Sequence, residues 1–302
     1  MYILFFLIII FLILFKLNWY YTNFEYYGLI IKNSHIPDFT RWILSDKFIA
    51  KECAKLNGFD VPKTYQLVKF PHQIKFNYKN FCLKPTDLCD SAGVYLIKDN
   101  KNALTNNVFD KKKIIQELQN LRSSIKTEYY MHEYMYNGLI PFSGYIVEEL
   151  LLDENNNIPC DLKCYVFGGK LHYIAKTYNR RIINGEQKFD SIWLDRNWEP
   201  IKTKMIKKGY VYQEIKKPIN YQKIVMLVEN MGKILRRHCR IDIYVINDKI
   251  YLGEFTFFCG ARIHTFICNY KLGKIWLDNP DDYHYEDKRL KKLVPNFYNI
   301  PN

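Results

Sequence analysis

Polar and apolar positions change rhythm several times along this chain, and each rhythm predicts a different element. In SDKFIAKECAKLNGF (residues 45–59) apolar side chains recur every three to four positions, Ser45 or Asp46 is placed to cap, and Asn57-Gly58 closes the run. That pattern predicts a complete helix. VPKTYQLV (61–68), FCLKP (81–85) and GVYLIKD (93–99) predict strands, the last two joined by the polar loop TDLCDSA. Helical spacing returns over residues 110–125, with Ile114, Ile115, Leu118 and Leu121 on one side, and the aromatic-rich EYYMHEYMYNG (128–138) predicts a second helix.

From residue 144 the strands are bolder. GYIVEELLL (144–152) is followed by CDLKCYVFGGKLHYIAKTY (160–178), a hairpin around Gly168-Gly169, and then by a polar excursion to about Trp198. Residues 221–238 predict a helix with Ile224, Leu227, Val228, Met231 and Leu235 inward, which delivers the chain into RIDIYVINDKIYLGEFTF (240–257), two strands and a turn. After Trp276 the chain is charged, and DKRLKK (287–292) reads as a solvated helix end. No internal repeat or low-complexity block appears. The fold class is α+β, with two lobes.

The first residues differ in kind. YILFFLIIIFLILF (2–15) carries no charge before Lys16, and KLNWYY extends it with a snorkelling lysine and interfacial aromatics, so the expectation is an N-terminal membrane anchor over residues 1–21. A cleaved signal peptide is the rival, but the stretch has no basic n-region and no small-residue cleavage site. Lys16, Lys32 and Arg41 follow the apolar run, which places the bulk of the chain on the cytosolic side of a membrane.

The net charge of +13 on 302 residues predicts attraction to anions, whether nucleotide phosphates, an acidic polymer or a membrane surface. No RNP, zinc-finger or helix-turn-helix pattern accompanies it, so no nucleic-acid partner is expected. The eight cysteines form no CxxC pair and several sit in apolar strands, which favours a reducing compartment; no N-x-[ST] sequon occurs.

The 240–257 hairpin raises the chemical question. Its polar set holds Arg240, Asp242, Glu254 and Thr256 among Ile, Tyr and Phe, and unpaired charge in such a place is costly. Asp242 and Glu254 share a face only if the connecting loop has an odd number of residues, as a three-residue loop does; a two-residue Asn247-Asp248 turn puts them on opposite faces. On one face, two carboxylates suit Mg²⁺, with Thr256 adding an oxygen and Arg240 meeting a phosphate. The plain alternative is a structural Arg–carboxylate pair.

Other stretches add to this. Lys84 ends a strand just before a loop containing Ser91-Ala92-Gly93, an arrangement suited to phosphate contact, although no Walker motif is present. Lys47 begins a capped helix, where free N–H groups favour an anion. Lys163 shares a strand face with Asp161, while Leu162, Cys164 and Val166 face the other way. YIVEELLL offers an extended segment for an adenine ring, with a glutamate to reach a ribose hydroxyl. Each has a bland reading: an exposed lysine, a solvated acid or an edge strand.

In this order the stretches SDKFIAKECAKLNGFDVPKTY, FCLKPTDLCDSAGV, YIVEELLL, DLKCYVFGGKLHYI and RIDIYVINDKIYLGEFTF resemble the ATP-grasp superfamily, and most closely its TupA-like branch, associated with teichuronopeptide and surface polysaccharide synthesis. The resemblance runs from about residue 45 to 266. It implies an ATP-grasp fold of two α+β lobes clasping ATP, with lobes at 45–145 and 146–275, a juxtamembrane connector at 22–44 and a charged tail at 276–302. It makes Lys47 and Lys84 the phosphate-binding lysines, and Ser91 to Gly93 the mobile loop. Glu148, Glu149, Leu150 and Leu151 become the adenine-side linker, with Asp161 and Lys163 near the ribose and phosphates. Asp242, Glu254 and Thr256 become the magnesium ligands, and Arg240 the residue facing the transferring phosphoryl group, with Lys163 as its catalytic companion. Thr256 stands where many ATP-grasp enzymes have Asn, and the phosphate loop has one glycine where relatives carry several.

The resemblance implies an ATP- and Mg²⁺-dependent carboxylate–amine ligase working through an acyl phosphate, with a uronic acid or amino acid joined to a glycan. The alternatives are an ATP-grasp kinase acting on a sugar hydroxyl, a membrane-anchored glycosyltransferase, and a non-catalytic nucleotide-binding scaffold. The histidines form no HxxxH or HExxH pattern, and His264 is expected to pack or to contact substrate.

Overall fold

A computed structural model describes residues 6–13, 23–33, 39–88, 91–124, 144–183, 186–258, 263–283, 285 and 288. Two five-stranded antiparallel sheets organise it. In the first, β1 (Thr64–Val68), β5 (Tyr145–Glu148), β2 (Phe81–Pro85), β3 (Tyr95–Lys98) and β4 (Lys101–Asn102) lie in the order β1-β5-β2-β3-β4. In the second, β10 (Lys249–Thr256), β9 (Cys239–Ile246), β6 (Asp161–Phe167), β7 (Lys170–Ile183) and β8 (Glu186–Asp195) follow in that order. β5 lies between β1 and β2, so the residues just after 145 complete the first sheet.

Helix α4 (Lys47–Leu56) forms as its sequence requires: Asp46 Oδ1 accepts from the amides of Phe48 and Ile49, and Asn57 closes the C-terminal end. Its apolar side, Ile49, Ala50, Cys53 and Ala54, packs into the core of the second sheet although it precedes the first sheet in sequence. The same core takes Ile224, Val228, Met231 and Leu235 from α6 (Tyr221–Leu235), each worth about 1.5–3 kcal/mol of burial. α6 stops three residues before the expected end because Arg236 takes a left-handed φ of 54°. Asp60, just beyond α4, exchanges backbone hydrogen bonds with Ile250 and Leu252 and so covers the free edge of β10. α5 (Lys111–Ser124), capped by Asp110, lies against the first sheet through Ile114 and Leu118.

Alternation sorts the second sheet cleanly. Leu162, Cys164 and Val166 of β6 and Ile241 and Ile243 of β9 enter the α4–α6 core, while Tyr165 and Phe167 on the opposite face join an aromatic cluster with Trp193 and Trp276. The hairpin achieves its parity by a different device from the one expected. Its turn is the two-residue Asn247-Asp248, with Asn247 at φ 53° and Ile246 paired to Lys249. The odd residue is instead a β-bulge at Gly253, so the register passes from Leu252↔Ile243 to Glu254↔Asp242. Ile250 and Leu252 before the bulge and Phe255 and Phe257 after it all reach one core. A Cβ at Gly253 would stand 3.0 Å from the Asp242 carbonyl oxygen, which explains glycine at the bulge.

Several expectations need correction. The polar excursion after residue 178 is the last five residues of β7 and all of β8. The connector region contains α2 (Phe24–Asn33) and α3 (Phe39–Leu44), and the stretch read as leading into the tail contains α7 (Phe266–Asp278), against which α2 packs. Phe24 is buried against Tyr165, Phe167 and Trp276. At the amino terminus, residues 6–13 are helical (α1). Among the described residues no helix is long and apolar enough to cross a membrane; residues 1–5 and 14–22, most of the stretch expected as an anchor over 1–21, lie outside those described. The helix expected at 128–138 and all of DKRLKK except Lys288 also lie outside them.

Candidate active site

Two charged clusters, one on each sheet, face each other. In the first, Glu148 at the end of β5 is buried and takes two lysines: Lys84 of β2 at 2.7 Å from Oε1, and Lys51 of α4 against Oε2. Lys51 is itself buried. Burial and then the charge of Lys84 push the Lys51 ammonium well below the ordinary lysine range, and burial also lowers Lys84. Lys47, one turn before Lys51, donates to the carbonyl of Leu88 in the loop after β2. The α4 amides expected to attract an anion are already used, since Lys47 N donates to Thr86 O at 2.7 Å and Phe48 and Ile49 donate to Asp46. Positive charge at this end therefore comes from ammonium groups, not from the helix terminus.

Lys51 escaped the sequence reading. It is the i+4 neighbour of Lys47, and the signal available was its place beside Ile49, Ala50 and Cys53 on the buried flank.

The other first-sheet candidates are less concentrated. Glu148 points to the lysines, whereas Glu149 is exposed and accepts from Lys63 N at 3.2 Å. Leu150 is buried and Leu151 half-buried in the irregular segment leading out of β5. Ser91 is exposed at φ 59°. Gly93, at φ 68°, directs its missing Cβ toward Pro85, Leu118 and Leu121, so that part of the loop is packed against α5.

The second cluster lies on the open face of β10, β9 and β6. Lys163 stands 2.6 Å from Asp161 Oδ2 and 2.5 Å from Asp242 Oδ2, and Arg180 reaches Asp161 Oδ1 at 2.8 Å. Arg180 is brought there by a register shift in β7 between Tyr178 and Arg181, with Asn179 at φ 49°. Arg240 grips Asp242 with Nε at 2.7 Å and a terminal nitrogen at 2.8 Å, and the same nitrogen lies 3.3 Å from Glu254 Oε1 and 3.0 Å from Thr256 Oγ1. Burial raises Lys163's tendency to lose its proton, but Asp242 and Asp161 more than offset that and hold it above the usual lysine range. Burial likewise opposes ionisation of Glu254, yet Arg240, Lys163, Lys47 and Lys84 together hold its carboxyl below the usual range. Two of those four cations belong to the first cluster, so the clusters interact across the space between the sheets.

Asp242, Glu254 and Thr256 fit a magnesium ion. All three present oxygen, the two carboxylates converge on a single nitrogen of Arg240, and Glu254 keeps 40 % of its side chain exposed. Among the described residues no three His, Cys, Asp or Glu side chains stand together so as to hold a metal ion, so the rest of the coordination would come from phosphate oxygens and water. His264 is a packing residue: buried, it lies 2.7 Å from Glu25 Oε1 and 3.1 Å from the Tyr165 hydroxyl.

The family model TupA-like ATPgrasp matches residues 28–273. No curated protein matches the sequence. Among solved structures, the chain is similar to D-alanine–D-alanine ligase from Bacillus anthracis at 16 % identity, covering 84 % of this chain and 67 % of that one, TM-score 0.44. The ATP complex of the same ligase gives 15 % identity, 84 % and 65 % coverage and TM-score 0.43. The ATP-grasp ligase PsnB, complexed with a phosphomimetic precursor variant, Mg and ADP, gives 10 % identity, 76 % and 58 % coverage and TM-score 0.37. The chain spans about two thirds or less of these relatives.

Proposed function

The chain belongs to the TupA-like ATP-grasp family, whose members use ATP and Mg²⁺, and from that premise we propose that it is a carboxylate–amine ligase. The observation that carries the reading is that one Arg240 nitrogen reaches Asp242, Glu254 and Thr256 while Lys163 holds Asp242 at 2.5 Å, with Lys47 and Lys84 of the opposite lobe near enough to help keep Glu254 ionised. Such a ring of cations around two carboxylates suits a metal-bound triphosphate. Bound Mg²⁺ supplies charge neutralisation at the β- and γ-phosphates. Lys84 and Lys47 hold phosphate oxygens from one side. Lys163 and Arg240 stabilise the negative charge that develops as the γ-phosphoryl moves to a substrate carboxylate, and the resulting acyl phosphate is attacked by an amine. The chemistry needs positioning and charge, with no side-chain nucleophile. In this reading Glu149 to Leu151 border the base.

Positive net charge and the likeness to the TupA branch support an acidic sugar or amino acid as substrate, in surface polysaccharide synthesis. The apolar, exposed α1 supports attachment to a membrane, with the catalytic body on the cytosolic side.

Incubation with ATP, Mg²⁺ and paired uronic or amino acids and amines tests the reading. Release of ADP and phosphate with a new amide, seen by mass spectrometry, is the expected result. A phosphorylated hydroxyl acceptor without amide would make the protein a kinase, and turnover of a nucleotide sugar alone would discard the ligase reading.

A further inference from the structure

The hairpin's acids are already neutralised by the protein's own cations, and this bears on how metal enters. Both oxygens of Asp242 are engaged, Oδ1 by Arg240 Nε at 2.7 Å and Oδ2 by Arg240 at 2.8 Å and Lys163 at 2.5 Å. Glu254 Oε1 and Thr256 Oγ1 lie 3.3 and 3.0 Å from the same Arg240 nitrogen. Every oxygen-bearing group that suits the metal therefore shares one guanidinium nitrogen. Mg²⁺ binds oxygen at about 2.0–2.1 Å. An ion that close to Asp242 Oδ2 and Glu254 Oε1 would occupy the space that nitrogen holds, and two like charges within about 3 Å repel strongly.

Resting on the ligase reading above, we propose that Arg240 is an exchangeable internal counter-ion: it holds the carboxylates together and yields them to Mg²⁺ only when nucleotide phosphates give its fork another pair of oxygens. The exchange conserves charge. Asp242 and Glu254 pass from a guanidinium to a divalent ion, and Arg240 passes from a carboxylate to a phosphate, which it grips with the same planar pair of N–H donors. Lys163 makes the parallel move more easily, because Asp161 still holds it at 2.6 Å when Asp242 is given up. Uptake is therefore ordered, with metal entering together with nucleotide, and the side chain assigned to the phosphoryl group is released to it by the loading step itself.

The test is Mg²⁺ affinity without nucleotide, measured by calorimetry on the full chain. The wild type takes up Mg²⁺ alone weakly, and Arg240→Met binds it at least about tenfold more tightly because a competing charge is gone. Arg240→Gln, which keeps a hydrogen bond to Asp242 without charge, shows the same gain and guards against a folding failure of the first variant. Arg240→Met also loses affinity for Mg·ADP, a second readout independent of turnover. Unchanged or weaker binding of Mg²⁺ alone by both variants, in a wild type that binds Mg·ADP, overturns the exchange and leaves the ligase reading standing. Failure of the wild type to bind Mg·ADP removes both.

Discussion

The two charged clusters are built from similar residues to opposite ends. On the first sheet one carboxylate, Glu148, serves two lysines and both partners of one pair are buried, with only 3 % and 2 % of the Glu148 and Lys51 side chains exposed. On the second sheet three carboxylates meet three cations, and one acid, Glu254, stays open to the cleft. The first cluster is thus cation-rich and closed, a fixed holder of positive charge. The second is balanced and open, with partners that can be exchanged. A shared vocabulary of lysine, arginine and carboxylate yields a rigid support in one lobe and a reactive surface in the other, and burial decides which.

The largest effect expected from breaking this contrast is at Glu148. Glu148→Ala strands two buried lysines and costs about 3–5 kcal/mol in chemical denaturation. A loss under about 1 kcal/mol would show that the first cluster is no more closed than the second. Next is the bulge: Gly253→Val forces a branched side chain against the Asp242 carbonyl and costs about 1–3 kcal/mol. It also disturbs the facing of Asp242 and Glu254, so Mg²⁺-dependent ATP stabilisation falls with it; a variant that keeps full ATP response would separate the bulge from the site.

Acidity sharpens the comparison further, because the two regions answer pH in opposite directions. Beneath the first cluster, burial pushes the capping carboxyl of Asp46 up to about 7. Between about pH 4 and 7 the folded protein therefore holds a proton that the unfolded chain has lost, and this contribution to stability disappears as pH rises through 7. Behind the second cluster, burial pushes His238, stacked on Phe167, down to about 3. Here the unfolded chain takes up the proton below its ordinary value near 6.5, so stability is present above that pH and is lost as pH falls toward 3. His238→Phe should remove a loss on the order of 2 kcal/mol between pH 7.5 and 4.5, and Asp46→Asn should flatten the loss between about pH 4 and 7. Thermal melts across pH check both; identical profiles for wild type and variants would contradict the assignment. The smallest effect on stability is at Glu254→Gln, under about 1 kcal/mol because the side chain is partly exposed.

Much of the second lobe was legible because period-two alternation is a strong signal where one face is buried. Asp161 and Lys163 on one face of β6, opposite Leu162, Cys164 and Val166, needed no further information. The relation of Asp242 to Glu254 did not follow from alternation alone. Parity across a hairpin depends on every residue between the two positions, and a glycine bulge changes it as effectively as a longer turn does. The sequence shows Gly253, but not that Gly253 breaks the ladder. The end of β7 and all of β8 were missed because Asn179, Arg180, Arg181, Lys188 and Gln187 looked like a solvated excursion, although Asn184-Gly185 is a hairpin signal between two runs with strand-forming residues. Lys51 was hidden for a different reason: its place on the apolar flank of α4 is visible, but its partner Glu148 lies far along the chain in β5. α2 and α7 were lost among aromatic residues whose spacing serves the cluster around Trp276.

The central claim is that a carboxylate from each arm of the late hairpin meets a metal-bound triphosphate opposite the lysines of the other lobe. Calorimetric titration of ATP into wild type and Glu254→Gln, with Mg²⁺ and with chelator, tests it most directly. The expected result is an affinity in Mg²⁺ weakened about tenfold or more by the substitution, with little change in the chelated titration. Equal affinities for the two proteins in Mg²⁺ would contradict it.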